Sequence, residues 1–258
     1  VQRFESEGAV SVGELASSED AGPNDHATPE VILFCDSDPS FDREIPHTDE
    51  LIAYGPLGEE LWRKAQFNIS AGVGHQLVAI DSSRNRIYVC ENTADRLWAL
   101  DASGNPVWRI DDIDTDCLVV DRSTGNLWCS GGGNLQYGET VVFSTTGEEL
   151  TSWPFRAIAM DYDSVTDGFW LAGYQLIKLS REGDVQIRES VDGWCYDAIS
   201  VCPLDGSVWI GERNHPDRSA SRNRLWLRAA DGSVMHKIEL DKNDPRTVAS
   251  LAASGNVL

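Results

Sequence analysis

Glu91 and Asn92 stand side by side in "RIYVCENTADRLWALDASGNPVW" (residues 86–108), a carboxylate and an amide between two strand-like runs. With Asp116 and Asp197 they supply the hard oxygen donors that calcium prefers. His47, His75 and His215 carry imidazole nitrogen, which suits zinc or copper. Cys35, Cys90 and Cys129 recur at matching places in strand-like runs. Buried cysteine more often serves as a small apolar side chain than as a ligand. None of the six cysteines forms a CxxC pair, and no His/Cys spacing matches a zinc site. GxSxG, HExxH, phosphate-loop and EF-hand patterns are absent. The acidic run "DDIDTD" (111–116) lacks the glycine and terminal glutamate of a calcium loop. Any chemistry must therefore be assembled by the fold from scattered residues.

Positioning them falls to a repeat. The segment "GHQLVAIDSSRNRIYVCENTADRLWALDASGNPVWRI" is echoed by "TDCLVVDRSTGNLWCSGG" with "TVVFSTTGEELTSW", and by "RAIAMDYDSVTDGFWLAGYQLIKLSREGDVQIRES". It returns in "YDAISVCPLDGSVWIGE" with "NRLWLRAADGSVMHKIEL", and an earlier copy reads "EVILFCDSD" and "ELIAYGPLGEELWRK". The period, about 35 to 50 residues, falls in the range of propeller blades. Each copy parses as four short strands. A small residue marks the first (Ala79, Ala159, Ala198, Ala249), and a glycine turn follows the third (Gly58, Gly104, Gly147, Gly183, Gly232). A four-stranded sheet of this size cannot cover both its faces, so it must stack on copies of itself.

Radial stacking predicts an all-β fold, a β-propeller of six four-stranded blades in one domain, 1–258. The intact blades are expected at 16–67, 73–110, 114–153, 155–190 and 194–241. "VQRFESEGAV" aligns without a gap on "LWLRAADGSV". Residues 1–15 plus 245–258 are therefore expected to form a composite closing blade, which removes the open edges. Trp98, Trp128, Trp170, Trp209 and Trp226 are expected to pack between blades. Cys117 and Cys129, on neighbouring strands of one blade, are the candidate pair for a disulfide.

The stretch "VAIDSSRNRIYVCENTADRLWALDASGNPVW" resembles an NHL-type repeat of the six-bladed propellers, with Asp81 after the first strand, Tyr88 in the second and Arg96 opening the third. "LWALDASGNPVW" and "LIAYGPLGEELW" also resemble quinoprotein-type repeats, which occur in eight-bladed rings. The first resemblance implies the superfold of TolB-like and lactonase-like propellers. Lactonase-like members hold a divalent ion in the channel through Glu, Asn and Asp. Carried onto this sequence, that implies Ca2+ at Glu91, Asn92, Asp116 and Asp197.

In a propeller, the residues leading into the first strands share one face with the connections between second and third strands. Counting back from the second-strand aromatics aligns Gln76, Asp116, Arg156, Asp197 and Arg246, with His75 beside the first. Asp36, Glu91, Asn92, Tyr174, Glu212, Arg213, Asn214 and His215 are expected around them, on loops. Insertions collect at 36–49, 130–139 and 212–223, whereas the first-to-second turns are short. Binding groups tend to live on such loops. At this rim the pair Glu91–Asn92 reads as the part that does not repeat.

The charge narrows the partners. With 42 acidic against 21 basic residues, net −21, nucleic acid and anionic membrane surfaces are disfavoured. No apolar run reaches the roughly 20 residues of a membrane span. The expected function is a non-catalytic binding or scaffold propeller that recognises a protein, peptide or glycan on its loop-rich face. The rival is a metal-dependent hydrolase or lyase at the channel mouth, where an ion would polarise a carbonyl or activate water. A third is a structural blade array within a larger polypeptide. Acidity and the family resemblance point to a secreted, periplasmic or extracellular setting.

Overall fold

The computed structural model describes residues 10–11, 31–35, 49–54, 59–67, 77–91, 94–131, 138–190, 194–214 and 224–239. Among them the only helical element is a 3-10 turn, Ser82–Arg84; the rest are strands and their connections. The strands form five four-stranded antiparallel sheets, each a meander in chain order. Two compact bodies contain them: Val1–Gly72 with Leu77–Thr115, and Val73–Gln76 with Asp116–Leu258.

The first body holds two sheets. The first consists of β1 (Val10–Ser11), β2 (Val31–Cys35), β3 (Asp49–Tyr54) and β4 (Glu60–Phe67). The second consists of β5 (Val78–Asp81), β6 (Arg86–Glu91), β7 (Arg96–Asp101) and β8 (Pro106–Asp111). β1 is hydrogen-bonded to β2, with Val10 opposite Leu33. The other residues expected in a closing blade, 1–9, 12–15 and 245–258, lie outside the described residues.

The second body holds three sheets. They are β9 (Cys117–Val120), β10 (Leu127–Gly131), β11 (Glu139–Phe143) and β12 (Glu149–Trp153); β13 (Ala159–Asp163), β14 (Gly168–Ala172), β15 (Gln175–Ser180) and β16 (Val185–Ser190); and β17 (Trp194–Val201), β18 (Val208–Asn214), β19 (Arg224–Arg228) and β20 (Val234–Glu239). The first strands β9, β13 and β17 pack side by side. Stacked meanders with adjoining inner strands are the architecture of a β-propeller.

The fourth sheet shows why stacking is obligatory. Successive strand residues point to opposite faces. On β14, Phe169 and Leu171 join a core with Cys117, Val119, Trp128 and Val142 of the third sheet. Trp170 and Ala172, one residue out of step, join Tyr196, Ile199, Val201, Val208 and Ile210 of the fifth. Both faces are apolar, and each is covered by a different neighbour. Of the tryptophans expected to pack between sheets, Trp128 of the third stacks on Phe169 of the fourth at 3.7 Å, with Trp153 of its own sheet at 4.6 Å, and Trp170 of the fourth packs on the fifth.

Turn chemistry sets the ends of the strands. Asp81, Asp121 and Asp163 end or follow the first strands of three sheets, and each carboxylate accepts hydrogen bonds from the turn after it. Asp121 takes the amides and hydroxyls of both Ser123 and Thr124. Asp163 takes the amides of Val165 and Thr166 and the Thr166 hydroxyl. Burial pushes both carboxyls up, but these bonds, joined at Asp163 by the hydrogen bond and charge of Lys178, outweigh it and hold their pKa values below the usual range. Their contribution to stability is therefore present above the unfolded value and lost as pH falls below it.

The buried cation beside Asp163 is Lys178, whose Nζ lies 2.9 Å from Asp163 Oδ2 and donates to Ala230 O of the fifth sheet at 2.6 Å. Arg181 of the fourth sheet likewise reaches Asp121 Oδ2 of the third at 2.9 Å. The ends bearing the tight turns are thus riveted sheet to sheet.

At the same ends, the hairpins between third and fourth strands turn on left-handed glycines: Gly104, Gly147, Gly183 and Gly232 have φ between 74° and 91°. An outer-strand side chain of the preceding sheet covers three of them: Trp62 over Gly104, Trp153 over Gly183 and Ile187 over Gly232. Trp62 Nε1 also donates to Ala102 O at 2.8 Å. A Cβ at Gly183 would run into the Trp153 indole as well as straining the turn. Gly183→Ala is expected to destabilise the protein by roughly 2–4 kcal/mol in urea unfolding. Glu182→Ala on the same turn should shift it by no more than about 0.5 kcal/mol.

Candidate functional site

The opposite end of the second body gathers four of the residues that the sequence aligned or placed around a channel mouth. Asp116 immediately precedes β9, and Arg156 lies in the connection before β13. Tyr174 sits in the turn between β14 and β15, and Asp197 at the bulge of β17. The elements that hold them are cross-linked by backbone bonds that belong to no strand ladder. Asp116 N donates to Ser130 O at 2.8 Å, Ile158 N to Ala172 O at 2.7 Å, and Tyr196 N to Gly173 O at 2.9 Å. Each joins the end of a second strand to the start of a first one, and the last crosses from the fourth sheet to the fifth.

Two hydroxyls complete this frame. Ser130 Oγ accepts from Ala157 N at 2.7 Å and lies 3.0 Å from Thr140 Oγ1, which donates to Phe155 O at 2.7 Å. Neither stood out in the sequence, because a serine or threonine in a strand carries no signal until its neighbours across the sheet boundary are known.

The charged pair at this end is Asp116–Arg156. Nε and Nη2 of Arg156 both reach Asp116 Oδ2, at 3.2 and 2.6 Å. Both side chains are largely enclosed, 11% and 16% exposed, so the pair is desolvated on most sides. Under the aliphatic stem of Arg156 lies Gly138, where a Cβ would meet Arg156 Cγ and Cδ at 2.6 Å. Asp197 is 1% exposed. Tyr174 is 43% exposed and is the large aromatic surface here. Beside it, burial and then the Glu212 charge push the Tyr196 phenol to about 12, against the pull of Arg228. Tyr196 is therefore a neutral phenol throughout the physiological range.

Glu91 belongs to the first body, at the end of β6, and is 1% exposed. Its Oε2 accepts from Trp98 Nε1 at 2.6 Å and lies 3.8 Å from Arg96 Nη1. Arg96 Nε continues to Asp111 at 3.4 Å, and the Arg109 guanidinium lies 5.1 Å from the Trp98 ring centre. The same ladder stands in the fifth sheet. Glu212 Oε2 accepts from Trp226 Nε1 at 2.7 Å and lies 3.6 Å from Arg224 Nη1. Arg224 lies 3.9 Å from Glu239, and Lys237 Nζ is 5.0 Å from the Trp226 ring centre.

Glu91 is thus a repeated residue with Glu212 as its counterpart, contrary to the reading that set Glu91–Asn92 apart. The signal was in the chain as "RLW" at 96–98 and 224–226, but the unequal connections before the two triplets hid the equivalence. An indole N–H at a sheet end needs an acceptor, and the preceding strand supplies a carboxylate directly alongside.

His75, Gln76, Asn92, His215 and Arg246 lie outside the described residues, as do Asp36 and His47. Arg213 and Asn214 are placed only as backbone in β18. Among the described residues no group of three or more His, Cys, Asp or Glu side chains is arranged to hold a metal ion. The candidate disulfide is not formed: Cys117 and Cys129 are both free thiols. The register places Cys117 opposite Ser130, and its sulfur lies 3.6 Å from Ala157 O and 3.8 Å from Ser130 O.

Because the ladder is structural, Glu91→Ala and Glu212→Ala should each cost about 2–4 kcal/mol in urea unfolding, the penalty of orphaning an indole N–H beside an arginine. The glutamine variants, which keep an acceptor oxygen, should cost less than half as much. A Glu91→Ala variant as stable as the parent would show that the ladder does not hold the sheet end together.

No protein-family model matches the chain, and no curated protein matches it either. Among solved structures, the chain is similar to hydrazine synthase of Kuenenia stuttgartiensis, with a TM-score of 0.61 and 10% identity over 86% of this chain. It spans 66% of that chain, just under two thirds of its length. It is also similar to a protein of unknown function from Bacteroides caccae, with a TM-score of 0.56 and 14% identity. That match covers 88% of this chain and 84% of the other. At such identities the likeness is one of fold alone, and the fold, from its stacked four-stranded meanders, is that of a β-propeller.

Proposed function

We propose that this chain is a non-catalytic binding propeller that recognises a protein, peptide or glycan with the end of its sheets where second strands pass to third. One observation carries this reading. The Glu–Arg–Trp ladder closes that end identically in the second and fifth sheets, yet β6 and β7 are joined by residues 92–95 and β18 and β19 by 215–223. The shorter connection suffices for the ladder, so the added length in the fifth sheet answers to something other than folding. The corresponding connections of the first and third sheets, 36–48 and 132–138, are long as well.

The proposed ligand contacts are, in the second body, His75, Gln76, Asp116, Arg156, Tyr174, Asp197, Arg213, His215 and Arg246 and, in the first body, Asn92, next in sequence to the ladder residue Glu91. Segment 213–223 brings Arg213, His215, Arg218 and Arg222 against the single acid Asp217, in a chain of net charge −21. A partner with acidic groups fits that contrast. The finer family assignment, an NHL-like ring of six blades in an extracellular or periplasmic setting, belongs to the same proposal and is supported by the residues of the second sheet.

The test replaces 213–223 by Asn-Thr-Ala-Asp, the connection of the second sheet, and compares parent and graft on peptide and glycan arrays. The graft is expected to fold with a Tm within a few degrees of the parent and to lose the parent's array hits, as Tyr174→Ser should in part. Hits that survive both changes would overturn the assignment of the binding face. A divalent ion retained at one per chain through gel filtration, measured by elemental analysis, would favour the metal-dependent hydrolase instead.

A further inference from the structure

The inner strands β13 and β17 lie side by side but share no ladder, since each is hydrogen-bonded within its own sheet. Backbone donors that face across such a seam need side-chain partners. Val201 N–H of β17 finds one in Asp161 of β13, whose Oδ2 accepts it at 2.7 Å. The other oxygen, Oδ1, accepts from Tyr162 N at 2.8 Å. One carboxylate therefore fastens the fourth sheet to the fifth at their inner edges.

The repeat shows that the fold does not require an acid here. Two residues before the turn-capping position stand Ala79 in the second sheet, Val119 in the third, Asp161 in the fourth and Ser200 in the fifth. Alanine and valine occupy the position without a charge to desolvate. Around Asp161, the third sheet contributes the charge of Arg122 from the turn after β9, and its own strand contributes Asp163, itself held by Lys178. From β14 the residue in register is Trp170, and from β17 the neighbours are Ser200 and Val201. Arg122 is the cation that acts on it and Asp163 the anion.

We propose that Asp161 is a proton-operated clamp between the fourth and fifth sheets. As a carboxylate it offers both oxygens to amides; as a neutral acid it holds a proton on one of them, and one amide loses a charge-assisted bond. Burial raises its pKa to about 6, against the two amides and Arg122, with Asp163 adding to the rise. The clamp therefore changes state within the range that cells and their surroundings span.

The sign follows from linkage. A carboxyl whose folded pKa is raised binds its proton more tightly in the native state, so its contribution to stability is full below the unfolded value and lost as pH rises through about 6. Acidification thus weakens the bond across the seam at Val201 while raising global stability.

The test uses the 15N-labelled chain and Asp161→Asn. In the parent, the amide protons of Val201 and Tyr162 should shift together between pH 7.5 and 5, with a shared midpoint near 6, and the urea midpoint should rise over the same interval. In Asp161→Asn both the shared titration and that rise should vanish. Asp161→Ala, which copies Ala79, provides a second variant if the asparagine fails to fold. Val201 and Tyr162 amides that stay still in the parent, or an unchanged pH slope in both variants, would overturn the clamp.

Discussion

A four-stranded sheet that is apolar on both faces cannot exist alone in water, and this constraint organises the molecule. Phe169 and Leu171 are turned one way and Trp170 and Ala172 the other, so the fourth sheet needs a partner on each side. Burying such side chains contributes about 1.5–3 kcal/mol apiece, but only if the neighbouring sheet is seated. Stability is therefore a property of the seams. Trp128 serves as the example: it belongs to the third sheet, and its ring stacks on Phe169 of the fourth.

The polar structure follows from the same demand. Stacking sheets buries strand ends, and every buried donor there must find an acceptor. The tight-turn end meets the requirement with aspartate-capped turns, the Lys178–Asp163 and Arg181–Asp121 pairs, and the bidentate Arg228–Glu189 bridge, both of whose bonds are 2.8 Å. The other end uses Ser130, Thr140, the Asp116–Arg156 pair and the two Glu–Arg–Trp ladders. Cohesion is provided at both ends, while in the second to fifth sheets connection length varies widely only at the end where second strands pass to third. That asymmetry lets one end be remodelled for recognition without touching the seams.

The rim residues therefore separate by what else they do. Glu91 and Glu212 are committed to indoles and arginines that the stacked sheets must satisfy. Tyr174, on a two-residue turn, is solvent-facing and engaged in no comparable bond, which suits it to contact a partner. Among the described residues, acidic side chains recur as turn caps (Asp81, Asp121, Asp163) and in sheet-end ion pairs (Asp111, Asp116, Glu212).

The repeat, the strand positions, the hairpin glycines and the apolar alternation were legible in the chain, because each is a local preference: side chains alternate with period two, and a left-handed turn excludes a Cβ. Those preferences determined the all-β class and the stacking of sheets. Which scattered polar residues meet was decided only by tertiary structure. Glu212 lies fourteen residues from Trp226, Asp116 forty from Arg156 and Asp161 forty from Val201. A hydrogen bond needs its atoms within about 3 Å, and no local rule carries that precision across a sheet boundary. Once the sheets stack, register brings these groups together, and the roles of Glu91 and Asp161 become readable.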